Sequence, residues 1–249
     1  MAARKDPLAV YNAKRDFGQT PEPAGKKEDS QNGNLFIVQK HDATRLHWDL
    51  RLEIDGVLKS WAVTKGPSPD PDIKRLAVRT EDHPMSYATF EGVIPKKEYG
   101  GGTVMLWDRG SWSPIEGKSA HDLKDGHLHF VLEGERMKGE WLLIRLKPKS
   151  GEKRENWLLR KLQDEHADEG DTLVQHELTS VLSGRSMAEI AANKAAERRE
   201  SGKVDDAFLS EMGRNSPKRA QEAKSDRKGG APLPRYRKPQ LATLVDDVP

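Results

Sequence analysis

The sequence predicts an all-β fold: an antiparallel closed barrel of about eight strands, with an N-terminal arm and a C-terminal linker that is partly helical or disordered. Turn-forming segments such as GPSPDPD, DRG and GERMKG separate runs of strand length, and no helical period lies between them. Eight strands are a natural number for closing a small barrel. The runs are NLFIVQK, RLHWDLRLEI, VLKSWAV, KRLAVRT, GTVMLWD, HLHFVLE, EWLLIRL and NWLLRKL.

Composition limits how much of the chain the barrel occupies. With 35% hydrophobic and 33% charged residues and a mean hydropathy of −0.83, the chain is too polar to be one compact domain throughout. All six tryptophans lie between Trp48 and Trp157, so we place the barrel at residues 31–164. We expect loosely ordered flanks, an arm over residues 1–30 and a linker over residues 165–230.

The C-terminal part carries one helix signal and one basic segment. Ser186 and Glu189 have capping-box spacing, and Gly202 is placed to end the helix, so one amphipathic linker helix is predicted. From Arg214 to Lys238 there are nine Lys/Arg and two Asp/Glu, in a chain of net charge +2. Such a tail either holds DNA phosphates non-specifically or is a solvated disordered linker.

The absence of cysteine restricts the cross-links and metal ligands that the chain can provide. Disulfides and thiolate ligands are excluded, so any metal must use His, Asp or Glu, and we expect a reducing, cytoplasmic setting. The segment MAARKDPLAVYNAKRDF has no apolar signal region, and no apolar run approaches the length of a membrane span. We therefore expect neither secretion nor a membrane partner.

The second predicted strand carries polar side chains on one face. In LHWDLRLEI every second residue from Leu46 to Ile54 is apolar, and His47, Asp49 and Arg51 alternate with them. A half-buried antiparallel strand also shows a polar face to water, and this explanation is enough for His47 or Asp49 alone.

The residues after this strand predict its register. Asp55-Gly56 is a strong signal for a two-residue hairpin turn. Counting back from the turn pairs Arg51 with Ser60, Asp49 with Ala62 and His47 with Thr64. All three partners are small, which leaves room for an ion and a phosphate beside the charged face.

A metal site is the better explanation once His41 is included. His41, His47 and Asp49 provide two imidazoles and a carboxylate within nine residues, a ligand set that divalent metals accept with positions left open for water and substrate oxygen. We expect this patch inside the barrel or at its mouth.

Further candidate residues surround the fourth strand. RTEDHPMSYATFEG supplies Glu81, His83 and Tyr87, and Lys65 and Arg75 bracket the preceding loop. Each alone is explained as a surface charge or loop residue. Loops at the ends of barrel strands are nevertheless where sites are usually built.

These motifs resemble a known family. FIVQKHDATRLHWDLRLEIDGVLKSWAVTKGPS and RLAVRTEDHPMSYATFEGVIPKKEYGGGTVMLWDRG closely resemble the phosphoesterase domain of bacterial DNA ligase D, and YNAKRDFGQTPEP resembles its leading motif. Residues 231–249 resemble the lead-in to an ATP-dependent ligase domain that is missing here. No KxDG adenylation motif is present, so ligase activity is not predicted.

The resemblance implies a manganese-dependent phosphoesterase, other divalent metals being possible. It would remove 3′ ribonucleotides and 3′ phosphates from DNA ends to leave a ligatable 3′ hydroxyl during end joining. The implied partners are DNA, DNA with 3′ ribonucleotides, the polymerase and ligase domains of the same enzyme, and the Ku end-binding protein.

The resemblance also assigns roles residue by residue. It implies metal ligands at His41, His47 and Asp49. It implies catalytic roles for Asp16, Glu22, Arg51, Lys65, Arg75, Glu81 and His83. The diesterase step is tied chiefly to Arg15, Asp16, Glu22 and Glu81, and the phosphatase step to Lys65 and Arg75. Phosphate contacts are implied for Arg15, Arg51, Lys65, Arg75, His83 and Tyr87.

Two other functions stay open on the residues alone. One is a two-His, one-carboxylate iron oxygenase on a β-barrel, although that class normally takes its second His from a distant strand. The other is a non-catalytic barrel that binds nucleic acid and positions DNA ends around a structural metal. Three ligands with an open position argue against a closed structural site.

Overall fold

The computed structural model describes residues 6–27 and 34–194. Its strands are β1 Leu35–Asp42, β2 Leu46–Ile54, β3 Val57–Val63, β4 Lys74–Arg79, β5 Gly92–Ile94, β6 Gly102–Pro114, β7 His127–Gly134, β8 Lys138–Arg145 and β9 Asn156–Lys161. The helices are α1 Ala9–Ala13, α2 Leu173–His176 and α3 Met187–Ala191, with 3₁₀ turns at Met85–Thr89 and Ala120–Asp125. None of the helices in these described ranges has the length and apolar character needed to cross a membrane.

The strands close into an antiparallel barrel, as predicted. The order is β1-β2-β3-β4-β9-β8-β7-β6, and β1 also pairs with β6, which completes the closure. All eight predicted runs form strands of this barrel. The additional strand, β5, has three residues and pairs with the start of β6. It was not predicted because so short a run beside glycine gives no period to detect.

The β2–β3 hairpin has the predicted turn and register. Asp55 and Gly56 both have positive φ, 56° and 75°, as a type I′ turn requires. Arg51 pairs with Ser60 and Asp49 with Ala62, as expected. The paired ladder ends at Trp48 and Val63, so the expected His47–Thr64 pair lies one step beyond it.

Large apolar side chains fill the barrel interior. Trp61, Trp107, Trp141 and Trp157 are each at most 1% exposed, and they belong to one cluster with residues from all eight barrel strands. In β2 the alternate residues from Trp48 to Ile54 join this cluster. Since alternate side chains point to opposite faces, His47, Asp49 and Arg51 lie on the outer face. The prediction gave two locations, inside the barrel or at its mouth. The first is wrong, because indole and aliphatic side chains occupy the interior.

The N-terminal arm covers part of this outer face. Tyr11 of α1 is fully buried, in a second apolar cluster with Ile37, Leu58, Tyr87 and neighbouring residues. The hydroxyl of Tyr11 donates to the carbonyl of Pro23 at 2.7 Å, which ties the two ends of the arm together. The expectation of a loosely ordered flank is therefore wrong for residues 6–27.

The segment after β9 also packs on the barrel. The indole of Trp107 donates to the carbonyl of Glu177 at 2.8 Å, and Arg185 pairs with Glu91 at 2.7 Å. Ile190 is 2% exposed and belongs to the barrel core. The expectation of loose order is thus wrong for residues 165–194 as well.

The predicted linker helix begins where expected but ends early. Ser186 and Glu189 form the predicted capping box. The helix ends at Ala191, and Asn193 follows in a left-handed conformation with φ 49°, so the predicted end at Gly202 is wrong. The rest of that predicted segment, the basic tail and the residues resembling a ligase lead-in lie outside the described residues.

Candidate metal and phosphate site

Three potential metal ligands converge on the outer face of β1 and β2. His41 and His47 are paired across the two strands, and Asp49 follows on the same face of β2. The Asp49 carboxylate lies 3.7 Å from Nδ1 of His41 and 3.6 Å from Nε2 of His47. One donor atom from each residue lies within 4.8 Å of the others, a spacing that allows all three to bind one cation.

Backbone carbonyls orient both imidazoles. Nε2 of His41 donates to the carbonyl of Gly100, and Nδ1 of His47 donates to that of Arg45, each at 2.8 Å. A carbonyl oxygen only accepts hydrogen bonds, so these nitrogens carry the protons. In the neutral tautomers the lone pairs then point toward Asp49, which is how metal-binding histidines are usually held.

The charged groups of the cluster shift the pKa values of Asp49 and His47. Burial opposes ionisation of Asp49, but the Arg51 guanidinium and the two imidazoles hold the pKa of this carboxyl well below its usual value. Burial also opposes protonation of His47, but the Asp49 carboxylate raises the pKa of that imidazole. A divalent cation would compete with the proton for the same electron pairs.

Arg51 is buried beside the cluster and held by three oxygen acceptors. Its side chain is 3% exposed, and it donates to Gln39 Oε1 at 2.8 Å, Ser60 Oγ at 2.8 Å and Asp49 Oδ2 at 3.1 Å. Gln39 is itself fully buried and donates to the carbonyl of Phe90 at 2.8 Å. The guanidinium is therefore fixed in one orientation.

His83 lies beside Arg51. It belongs to the loop after β4 and forms an isolated antiparallel β-bridge with Leu58 of β3. Its Nδ1 lies 2.9 Å from Nη1 of Arg51, and its Nε2 lies 3.4 Å from Nη2 of Arg15. Burial, together with these two guanidinium groups, holds the pKa of His83 well below its usual value. The imidazole is consequently neutral near pH 7.

The N-terminal arm completes the site. Arg15 stacks on the ring of Tyr11 at 3.7 Å and pairs with Glu22 at 2.9 Å and with Glu81 at 3.2 Å. Glu22 also accepts a hydrogen bond from the Tyr87 hydroxyl at 3.0 Å. Burial, followed by the Glu22 carboxylate, raises the pKa of Tyr87 well above its usual value, so the hydroxyl keeps its proton.

Nine of the residues predicted for the site line one small cavity of about 170 Å³. They are Arg15, Glu22, His41, His47, Asp49, Arg51, Glu81, His83 and Tyr87. The cavity adjoins a larger groove of about 1290 Å³, and Lys65 lines this groove instead.

Two predicted residues are placed elsewhere. Asp16 is exposed, and its carboxylate caps a turn by accepting from the backbone of Gly18 at 2.9 Å. Arg75 donates to the carbonyl of Gly66 at 3.0 Å and pairs with Asp171 of the C-terminal segment. Neither residue lines the small cavity or the groove.

The sequence reasoning missed two residues of the site. Gln39, which orients Arg51, lies in the apolar-rich run of β1, where its amide gives no signal of chemistry. Tyr99 lines both the small cavity and the groove; it is 46% exposed, and Lys14 donates to its hydroxyl at 2.9 Å. It directly precedes a run of three glycines, Gly100 to Gly102.

Comparison with known proteins identifies the family. Residues 39–145 match the family described as the DNA Ligase D 3′-phosphoesterase domain. The chain is 44% identical over 249 residues to the multifunctional non-homologous end joining protein LigD of Pseudomonas aeruginosa, covering 98% of this chain and 27% of that protein.

Two mycobacterial relatives agree with this match. Identity is 41% over 166 residues to the protein of the same name from Mycolicibacterium smegmatis, covering 64% of this chain and 21% of the relative. It is 42% over 161 residues to the multifunctional non-homologous end joining DNA repair protein LigD of Mycobacterium tuberculosis, covering 64% and 20%. The chain thus spans between about a fifth and about a quarter of the length of these relatives. The matched barrel and the motifs that build its site show that the chain belongs to the DNA ligase D 3′-phosphoesterase domain family.

Proposed function

We propose that this chain is a metal-dependent DNA 3′-end-processing phosphoesterase. It removes 3′ ribonucleotides and 3′ phosphates from DNA ends and leaves a 3′ hydroxyl that can be ligated. The observation that carries the proposal is the convergence of His41, His47 and Asp49 beside the buried guanidinium of Arg51. A cation site next to a fixed guanidinium group is suited to a phosphate oxygen.

The donor set fits a divalent metal. Two imidazole nitrogens and one carboxylate, each oriented by a second hydrogen bond, suit Mn²⁺ and other divalent ions. His41, His47 and Asp49 would hold the ion, and open positions would remain for substrate and water. When bound, such an ion neutralises charge on the phosphate and orients it for attack.

The other residues of the cavity bind and orient the phosphate. Arg51 and Arg15 present guanidinium groups from two sides, with neutral His83 between them as a hydrogen-bonding partner. The protonated Tyr87 hydroxyl donates to Glu22, which fixes the carboxylate that pairs with Arg15. Most of the rate acceleration then comes from positioning and electrostatic stabilisation of the transition state.

The wider setting is also part of the proposal. The substrate is DNA or DNA with 3′ ribonucleotides, and the phosphoesterase acts beside polymerase and ligase domains of a longer enzyme, with the Ku end-binding protein as partner. The names of the relatives, which describe multifunctional end-joining proteins, support this setting.

The test is phosphate release from a 3′-phosphorylated DNA primer with added Mn²⁺. His47→Gln removes one ligand at a half-buried position, and we expect release to fall by at least about 100-fold. His127→Gln changes an exposed histidine on β7 and is the matched control, for which we expect the wild-type rate. Equal rates for both variants would remove the cluster from the mechanism.

The other outcomes distinguish the alternatives. DNA binding without turnover would favour the non-catalytic barrel. Turnover that depends on iron and 2-oxoglutarate would favour the oxygenase. Binding of Mn²⁺, followed by its electron paramagnetic resonance signal, tests the metal site without relying on activity: we expect it to weaken in His47→Gln and stay unchanged in His127→Gln.

A further inference from the structure

The groove beside the small cavity crosses the outer face of the barrel. Its floor includes Ala62, Thr64 and Val78, small or β-branched residues of β3, β4 and the loop after β3. One row of paired residues runs across it from Asp49 through Ala62 and Val78 to Asn156, so it extends from the ligand cluster to the start of β9.

The charge of the groove is positive. Its lining contains five Lys or Arg residues and two acidic residues, Glu81 and Asp82. Both acids are already neutralised, Glu81 by Lys14 and Arg15 and Asp82 by Lys59 and Arg79. The groove is therefore positively charged, and its two carboxylates would compete little with an anionic partner for its cations.

Two of these cations have no protein partner within the part of the chain that the structure describes. Arg45 lies between β1 and β2, Arg154 precedes β9, both are exposed, and neither forms an ion pair there. Lys65, also exposed, lies after β3. We call Arg45, Lys65 and Arg154, with the floor between them, the cationic groove.

We propose that the cationic groove holds the sugar-phosphate backbone of the DNA strand whose 3′ end enters the small cavity, with Arg154 binding a phosphate several nucleotides from that end. This inference rests on the proposed function, because it extends the same site. A polyanion explains both the uncompensated cations and the continuity of the groove with the reaction cavity.

The spacing between neighbouring strands gives the length of the groove in nucleotides. Asp49 and Asn156 are separated by three strand-to-strand steps. At about 4.8 Å per step this is roughly 14 Å. A strand of a duplex advances about 3.4 Å per phosphate, so Arg154 lies on the order of four nucleotides from the ligand cluster. A dinucleotide would not reach it, whereas an octanucleotide would.

The test compares the manganese-loaded chain on a 3′-phosphorylated DNA dinucleotide and octanucleotide. We expect wild-type kcat/KM to be higher for the octanucleotide, mainly through KM. Arg154→Ala should lower the octanucleotide-to-dinucleotide ratio about fivefold. It should also reduce the salt dependence of octanucleotide binding by about one unit of log–log slope.

Lys153→Ala is the matched control. Lys153 is the neighbouring exposed cation and does not line the groove, so this variant should keep the wild-type ratio and slope. Equal ratios for wild type, Arg154→Ala and Lys153→Ala, or the same loss in both variants, would overturn the groove assignment. Thermal unfolding of each variant checks that the fold is kept.

The two proposals fail separately. If wild type hydrolyses neither substrate, the proposed function fails, while fluorescence anisotropy of octanucleotide binding still tests the groove. Weaker binding in Arg154→Ala than in Lys153→Ala would then support the groove, and equal binding would overturn it. If wild type hydrolyses both substrates with the same kcat/KM, the proposed function stands and the groove assignment fails.

Discussion

Replacing Asp49 with Asn tests the electrostatic design of the site. Asp49 and Arg51 form a buried pair, with side chains 8% and 3% exposed, joined by a 3.1 Å hydrogen bond. Asparagine keeps an oxygen that can accept this bond but removes the negative charge. Arg51 would then be a buried cation beside the equally buried Arg15 and a neutral His83.

The expected cost follows from this geometry. Removing one partner of a buried ion pair costs about 3–5 kcal/mol. Because the amide oxygen keeps the hydrogen bond, we expect the lower end, about 3 kcal/mol. For a domain of this size that lowers Tm by roughly 6–12 °C. Asp42→Asn, an exposed aspartate at the end of β1, is the control and should stay within about 0.5 kcal/mol of wild type.

The assay is thermal unfolding with and without Mn²⁺. A ligand that binds only the folded state at 100 times its Kd adds about 2.7 kcal/mol of stability. We expect wild type and Asp42→Asn to gain such an increment and Asp49→Asn to gain little. A wild-type Tm in metal-free Asp49→Asn would refute the buried-charge reasoning. An equal metal-induced gain in all three proteins would refute the ligand assignment.

Three further predictions concern other parts of the chain. Burial raises the pKa of Asp108 to about 7, so the folded state binds more protons than the unfolded state between about pH 4 and pH 7. The free energy of unfolding should therefore fall as the pH rises through this window, by on the order of 1 kcal/mol per unit, and Asp108→Asn should flatten that fall in urea titrations at each pH. Tyr87→Phe removes the donor to Glu22 and should cost about 1–3 kcal/mol in urea unfolding; no change would mean that Glu22 does not depend on this bond. Ile190→Ala should cost about 2–5 kcal/mol because Ile190 is buried in the barrel core, whereas a change below about 0.5 kcal/mol would return residues 165–194 to the role of a loose linker.

Local sequence signals predicted the parts of the fold that depend on local chemistry. The alternation in β2 and the Asp55-Gly56 turn set both the face of Asp49 and its pairing with Ala62, and the structure agrees. The same alternation did not say which face was inside. That choice depends on the large side chains of the other strands, Trp141 and Trp157 among them, which fill the barrel and leave the charged face outside.

The rest of the site depends on long-range contacts that no local pattern encodes. His83 reaches Arg51 through its bridge to Leu58, and Arg15 reaches His83 because Tyr11 buries the arm on the barrel. His83 was a candidate because it lies in a loop at the end of a barrel strand, whereas only the resemblance to a family indicated Arg15. That resemblance did not indicate Gln39, whose contribution depends on a single hydrogen bond to Arg51.

The position of the site on the outer face has a functional consequence. A barrel interior filled with tryptophan gives a stiff floor, so the ligands on β1 and β2 are held by the sheet itself. The small cavity also lies on this outer face and continues into the groove that leads toward Arg154. An internal site would admit only a small ligand, whereas a site on the outer surface can take the end of a long strand. The filled core is therefore consistent with the proposed polymeric substrate, because the residues that stabilise the barrel also place the candidate site where a strand end could reach it.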